Sequence, residues 1–168
     1  IESWFDVKVD NALEGGLNLG RSAIDSLLRD VAKKAETMAV ALSVRPVGEH
    51  VAALNTLREQ TGVQEATLFT QRGRVVAFSG NESSGLMPDP PPPSALRQVR
   101  LQQAQTGVES IPGRGLYMRV LVPVNVLSLS EDIRVLQVLQ AVPAKIAEDA
   151  EIVQARSEEH TSELQSHH

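Results

Sequence analysis

Cysteine is missing from all 168 residues, so disulfides, thiolate nucleophiles and cysteine-held metals are excluded together. Aromatic residues are scarce at 3%, too few for the stacking platforms that single-stranded nucleic acid needs. Lys and Arg are nowhere clustered and the formal charge is −5, so the electrostatic footprint of a nucleic-acid partner is lacking too. No apolar run approaches the roughly 20 residues that cross a bilayer, and no signal peptide is visible. What the chain does have is aliphatic: enough Val, Leu, Ile and Ala to close the core of one domain of ordinary size.

The aliphatic residues are patterned. Val9, Leu13, Leu17, Ile24, Leu27, Leu28, Val31, Ala35, Met38 and Leu42 recur at three- and four-residue spacing, broken near Gly15, Gly16 and Gly20. This predicts one long helix from Ile1 to Ser43, spanning roughly 60 Å at 1.5 Å per residue. A rod of that length overhangs any domain the remaining chain can build, and a lipid bilayer is the expected attachment. The three glycines lack the lysine and the preceding strand of a phosphate loop, so they read as a kink or a close helix approach. A second helix is expected over Val47–Gln60, stopped by Gly62.

The period then changes to two. QEATLFT (Gln64–Thr70), a tight Gln71–Arg74 connection and VVAFS (Val75–Ser79) form a hairpin signal, with Arg72 and Arg74 exposed at its tip. GNESSGLMPDPPPP (Gly80–Pro93) is a loop, because successive prolines remove amide donors and force extended backbone. Ser94 is read as the N-cap of a short helix running through Gln105, and Gly107–Ile111 as a third strand. Leu116–Val124 and Ile133–Val142 are the clearest strands, with Pro123 weakening the pairing of the first near its end. Pro143 opens a last helix, Ala144–Ala155, in which Glu148, Asp149 and Glu151 form a solvated face.

This order of elements implies an α+β fold: a long N-terminal helix followed by a PAS-like, Cache-type antiparallel sheet of about five strands with flanking helices. The corresponding divisions are a membrane-proximal helix (1–43), the sensor domain (44–143), a return helix toward a next membrane span (144–155) and a tail (156–168). The tail, Arg156 to Ser166, resembles the conceptual translation of a sequencing-adapter oligonucleotide and is set aside, with disorder expected. Without it the chain holds one histidine, His50, and a charge of −3. Beginning at Ile1 without Met, the chain is expected to start in mid-protein.

Four patches carry a family resemblance: Ile1–Arg21, Leu54–Thr70, Leu86–Arg100 and Leu139–Ala155. In that order they resemble the extracytoplasmic sensor region of NtrY-type nitrogen-regulation sensor histidine kinases of proteobacteria. The resemblance implies a region on the periplasmic side of the inner membrane, bracketed by transmembrane helices and acting as signal input to a two-component phosphorelay. It also implies ATP as cofactor of a kinase module lying elsewhere, and the long first helix is expected to pair with its copy in a homodimer of the intact protein. No phosphoacceptor histidine box or ATP lid occurs in these residues, so no catalytic residue and no cofactor are assigned to them. Trp4 and Phe5, beside Glu2 and Asp6, suit a helix emerging through the headgroup layer, or else form a hydrophobic staple at an ordinary helix start.

Candidate chemistry is sparse. His50 has no clustered partner, is expected on the exposed side of a helix, and rules out a two-histidine metal site by being single. Tyr117 and Arg119 share one side of a strand, because side chains alternate with period two. Either Arg119 grips a ligand carboxylate bidentately in a cavity lined by Tyr117, Phe69, Phe78 and Ser79, or Arg119 faces water while Tyr117 covers the sheet edge. The functional readings are therefore a sensor of a small-molecule ligand, or a structural spacer or protein-docking module of a membrane receptor that binds none.

Overall fold

The computed structural model describes residues 18–81, 88, 90–126, 133–143 and 146. Helix α1, Asn18–Ser43, is 26 residues long, about 39 Å. Ile24, Leu28, Val31, Ala35, Met38 and Leu42 lie along one stripe and are buried, whereas Lys33, Glu36 and Thr37 on the other side are exposed. From Ile24 to Leu42 this helix therefore shares its core with the sheet. The expected head of the rod, Trp4 and Phe5 included, lies outside the described residues, as do the 156–168 tail and, apart from helical Ile146, the return helix.

A one-turn 3₁₀ segment at Val47–Glu49 precedes α2, His50–Thr61, so the second expected helix divides in two. Gly62 ends α2 at φ 77°, where its N–H reaches the Arg58 carbonyl at 2.9 Å, a left-handed cap that glycine adopts without strain. Strands β1 (Glu65–Thr70) and β2 (Val75–Gly80) form the hairpin, with a bulge between Leu68 and Phe69 and Gly73 at φ 90° in the turn. Helix α3 is Pro93–Arg100. Its N-cap is Pro92 and no side chain caps it, which corrects the assignment of that role to Ser94. It also stops five residues short of Gln105, because the chain leaves it through Gln102 at φ 65° and begins β3 (Gln105–Ile111) there. Strands β4 (Gly115–Val124) and β5 (Arg134–Ala141) complete the sheet, and Pro123 keeps its register opposite Val135.

The five strands are antiparallel in the order β2-β1-β5-β4-β3. The last strand in the chain is thus the central one, and β2 and β3 are the two edges. The connection from β2 to β3 must cross the sheet, about 19 Å at 4.8 Å per strand spacing. It carries the prolines and α3. Extended proline backbone, at about 3.1 Å per residue, is suited to that crossing and cannot add itself to an edge.

The two sheet faces are covered differently as a result. Helices α1 and α2 pack one face through Ala66, Leu68, Met118, Val120, Val122, Leu136 and Val138. Helix α3 packs the other through Ala95, Leu96 and Val99 against Phe69, Leu121 and Val135. Among the described residues, no helix is long and apolar enough to cross a membrane.

Candidate functional site

The face under the proline crossing is where polar side chains are buried. The pairing registers place them in rows across the strands: Gly80, Glu65, Leu139, Arg119 and Gly107 in one; Phe78, Thr67, Gln137, Leu121 and Gln105 in the next; Ala141, Tyr117 and Glu109 in a third. Glu65, Thr67, Gln105, Arg119 and Gln137 are each at most 3% exposed. The alternation that exposes such residues to a core-like face is the same one that sends Ala66, Leu68, Val138 and Val120 to the helical side.

Arg119 is buried, not solvent-facing, which overturns the water-facing alternative. Its Nη1 donates to the Pro90 carbonyl at 3.0 Å and to Gln137 Oε1 at 3.3 Å, and its Nη2 pairs with the Glu109 carboxylate. Burial pulls its pKa down to about 10, which leaves it cationic at neutral pH. The proline segment is thereby tied to the sheet by a charge-assisted hydrogen bond.

A second polar group sits at the end of the face toward the β3–β4 turn. Arg114 pairs with Glu65 Oε2, lies with its guanidinium 4.6 Å from the Tyr117 ring centre, and donates to the Tyr117 hydroxyl at 3.3 Å. Burial is the largest single influence on Arg114 and opposes its charge, yet the Glu65 hydrogen bond and charge, with help from Tyr117, raise its pKa overall. The Tyr117 hydroxyl also accepts from Gln64 Nε2 at 3.1 Å, and Gln64 Oε1 accepts from the Ala141 amide at 3.1 Å.

Of the five residues proposed as a cavity lining, Tyr117, Arg119, Phe69 and Phe78 do share this face. Ser79 does not. It points to the helical side, where its hydroxyl accepts from Arg58 Nε and donates to Asn55 Oδ1 of α2, both at 2.7 Å. Its period places it one residue out of phase with Phe78, so alternation alone excludes it from the group. The residues missed by sequence reasoning are Glu65, Glu109, Arg114 and Gln137. Glu65-Thr67-Phe69 and Val135-Gln137-Leu139 form the second stripe of their strands, a signal readable from the same alternation.

His50 is also corrected. It is fully buried at the junction of α1, α2 and β5. Nε2 lies 2.8 Å from the Leu42 carbonyl and 3.2 Å from that of Arg45, so it carries the hydrogen, and Nδ1 accepts from Arg134 Nη1 at 3.1 Å. The Leu42 carbonyl lies in the last turn of α1 and also accepts the Arg45 N–H at 3.1 Å, and the ring donor joins it to the Arg45 carbonyl just beyond the helix. No group of three or more metal-binding side chains forms among the described residues.

No family model matches the sequence. No curated protein matches it either. Solved structures do share its fold. The sensory domain of Campylobacter jejuni chemoreceptor Tlp3 with isoleucine bound superposes with a TM-score of 0.54 at 11% identity, covering 92% of this chain and 68% of that one. The Tlp3 ligand-binding domain in complex with L-valine gives 0.53 at 12% identity over the same shares. The V. cholerae histidine kinase DctB sensor domain gives 0.52 at 13% identity, covering 89% of this chain and 61% of that one. The architecture, a long helix packed on a five-stranded antiparallel sheet, is PAS/Cache-like.

Proposed function

We propose that this chain is the extracytoplasmic input domain of a membrane-bound receptor, and that the sheet face beneath the proline crossing is its ligand-sensing surface. The carrying observation is the pair of buried polar groups around Arg119 and Glu65, on a fold whose solved relatives include domains with an amino acid bound. Buried charge is costly unless paired and rarely serves stability best, so a face built from it favours recognition. The four sequence patches support the finer reading, that the receptor is an NtrY-type histidine kinase of nitrogen regulation with its catalytic and ATP-binding modules elsewhere in the protein. In this reading Tyr117, Arg119, Phe69 and Phe78 lie at the ligand face and α1 transmits the change. A ligand acts only through unequal affinity for two arrangements of the domain.

A thermal-shift screen of the chain against amino acids, organic acids and nitrogen compounds tests the reading. A true ligand at 100 times its Kd adds about 2.7 kcal/mol of apparent stability. Cysteines introduced along Ser22 to Met38 in the intact receptor test the homodimer, since paired α1 helices would cross-link at regular helical intervals.

The second reading, a spacer or docking module without a small-molecule ligand, is favoured by one observation. Arg119 is already engaged by Glu109, Gln137 and the Pro90 carbonyl, which together do what a ligand carboxylate would do. A screen in which no compound raises the melting temperature would establish it over the first.

A further inference from the structure

Glu65 is 1% exposed and its two carboxylate oxygens are treated unequally. Oε2 pairs with Arg114, whereas Oε1 is buried without a hydrogen-bond partner. A buried acceptor left unmade costs the full desolvation of the group, so it marks a position that a donor from outside the chain, a water or a ligand N–H, completes. Its neighbours on the face are Tyr117, whose hydroxyl is occupied by Gln64 and Arg114, and Leu139 beside it in the same row. Arg114, with its side chain 19% exposed, is the part of this group nearest to solvent.

At Glu65 the charge is already matched within the face by Arg114. A carboxylate or an ammonium entering here leaves one charge uncompensated in a low-dielectric site. An uncharged donor does not. Resting on the proposal that this is the ligand face, we infer that Glu65 Oε1 is the acceptor that selects a neutral N–H donor, a small primary carboxamide or urea-like compound. The expected carboxylate grip by Arg119 gives way to recognition at the other end of the face.

Three probes of similar size and three charges decide the matter: propionamide, propionate and propylammonium, titrated into the ¹⁵N-labelled chain. Propionamide is expected to move the amide resonances of Glu65, Tyr117 and Leu139 saturably. It should bind at least tenfold more tightly than either charged probe, about 1.4 kcal/mol. Glu65→Met keeps the side chain's length, removes the acceptor and is expected to weaken propionamide at least tenfold, while propionate, now offered the Arg114 guanidinium that Glu65 held, binds more tightly. Should that variant unfold, the ranking of the three probes on the unaltered chain still decides. Equal or tighter binding of a charged probe at these resonances overturns the neutral-donor inference and leaves the sensor proposal standing. Propionamide shifts confined to other residues, or none at all, overturn it as well. The sensor proposal itself falls only if the wider thermal-shift screen is silent.

Discussion

The helical face of the sheet and the face beneath the proline crossing are made by the same five strands, yet they are built on opposite principles. The first is aliphatic almost throughout, with Ser79 and His50 each tied by hydrogen bonds at its margins. The second interleaves an apolar patch around Phe69, Leu121 and Val135 with two acid–guanidinium pairs. Dry packing supplies stability without regard to partner identity, because the hydrophobic effect is non-directional. Paired, hydrogen-bonded charges supply direction at a desolvation cost. The comparison teaches that one face holds this domain together by dry packing, while the other fixes paired charges in place, the arrangement on which the proposed ligand face rests.

The largest expected break in that contrast is Arg119→Met. It takes the guanidinium away from the Glu109 carboxylate and the donor from the Pro90 carbonyl, and should cost about 3–5 kcal/mol in urea unfolding. Removing both charges together, Arg119→Met with Glu109→Leu, should restore most of the loss, since no orphaned ion remains. If the double variant is as unstable as the single one, packing rather than pairing governs this face.

Leu136→Ala on the helical face should cost about 2–5 kcal/mol, from lost burial plus a residual cavity in a site that is fully closed. Its ligand response, measured at saturating compound, should match the unaltered chain. His50→Ala removes the ring that serves the end of α1 and the Arg134 guanidinium. It should lower stability by about 1–3 kcal/mol and increase amide exchange in the last turn of α1.

Tyr117→Phe is the finest probe. It deletes one hydroxyl shared by Gln64 and Arg114 while the ring beneath Arg114 is kept, so the expected cost is only about 0.5–1.5 kcal/mol. A ligand response that changes severalfold against so small a stability change would separate the two faces functionally. An unchanged response would remove Tyr117 from the recognition group.

Strand positions and the amphipathic stripe of α1 were legible because period two and period 3.6 leave direct marks on residue order. Alternation also placed Tyr117 and Arg119 on a common side, and it excludes Ser79 from the side of Phe78. The short helix was displaced toward the prolines because Pro92 presets the cap geometry that Ser94 was expected to supply through its side chain. His50 is buried where an exposed position was expected because it lies at a helix start, where local pattern says nothing of the Leu42 and Arg45 carbonyls and the Arg134 guanidinium that enclose it.

Residue order by itself determined the α+β class, the two amphipathic periods and the loop character of the proline segment, since each depends on neighbours within a few positions. Only the tertiary structure decided that β5 is central and that the proline segment therefore crosses a sheet face to reach β3. It likewise decided that Glu65 meets Arg114 and Glu109 meets Arg119. Glu65 and Arg114 lie far apart in the sequence, and Glu109 meets Arg119 only across the β3–β4 hairpin. Such encounters depend on strand order and register, which local periodicity does not encode.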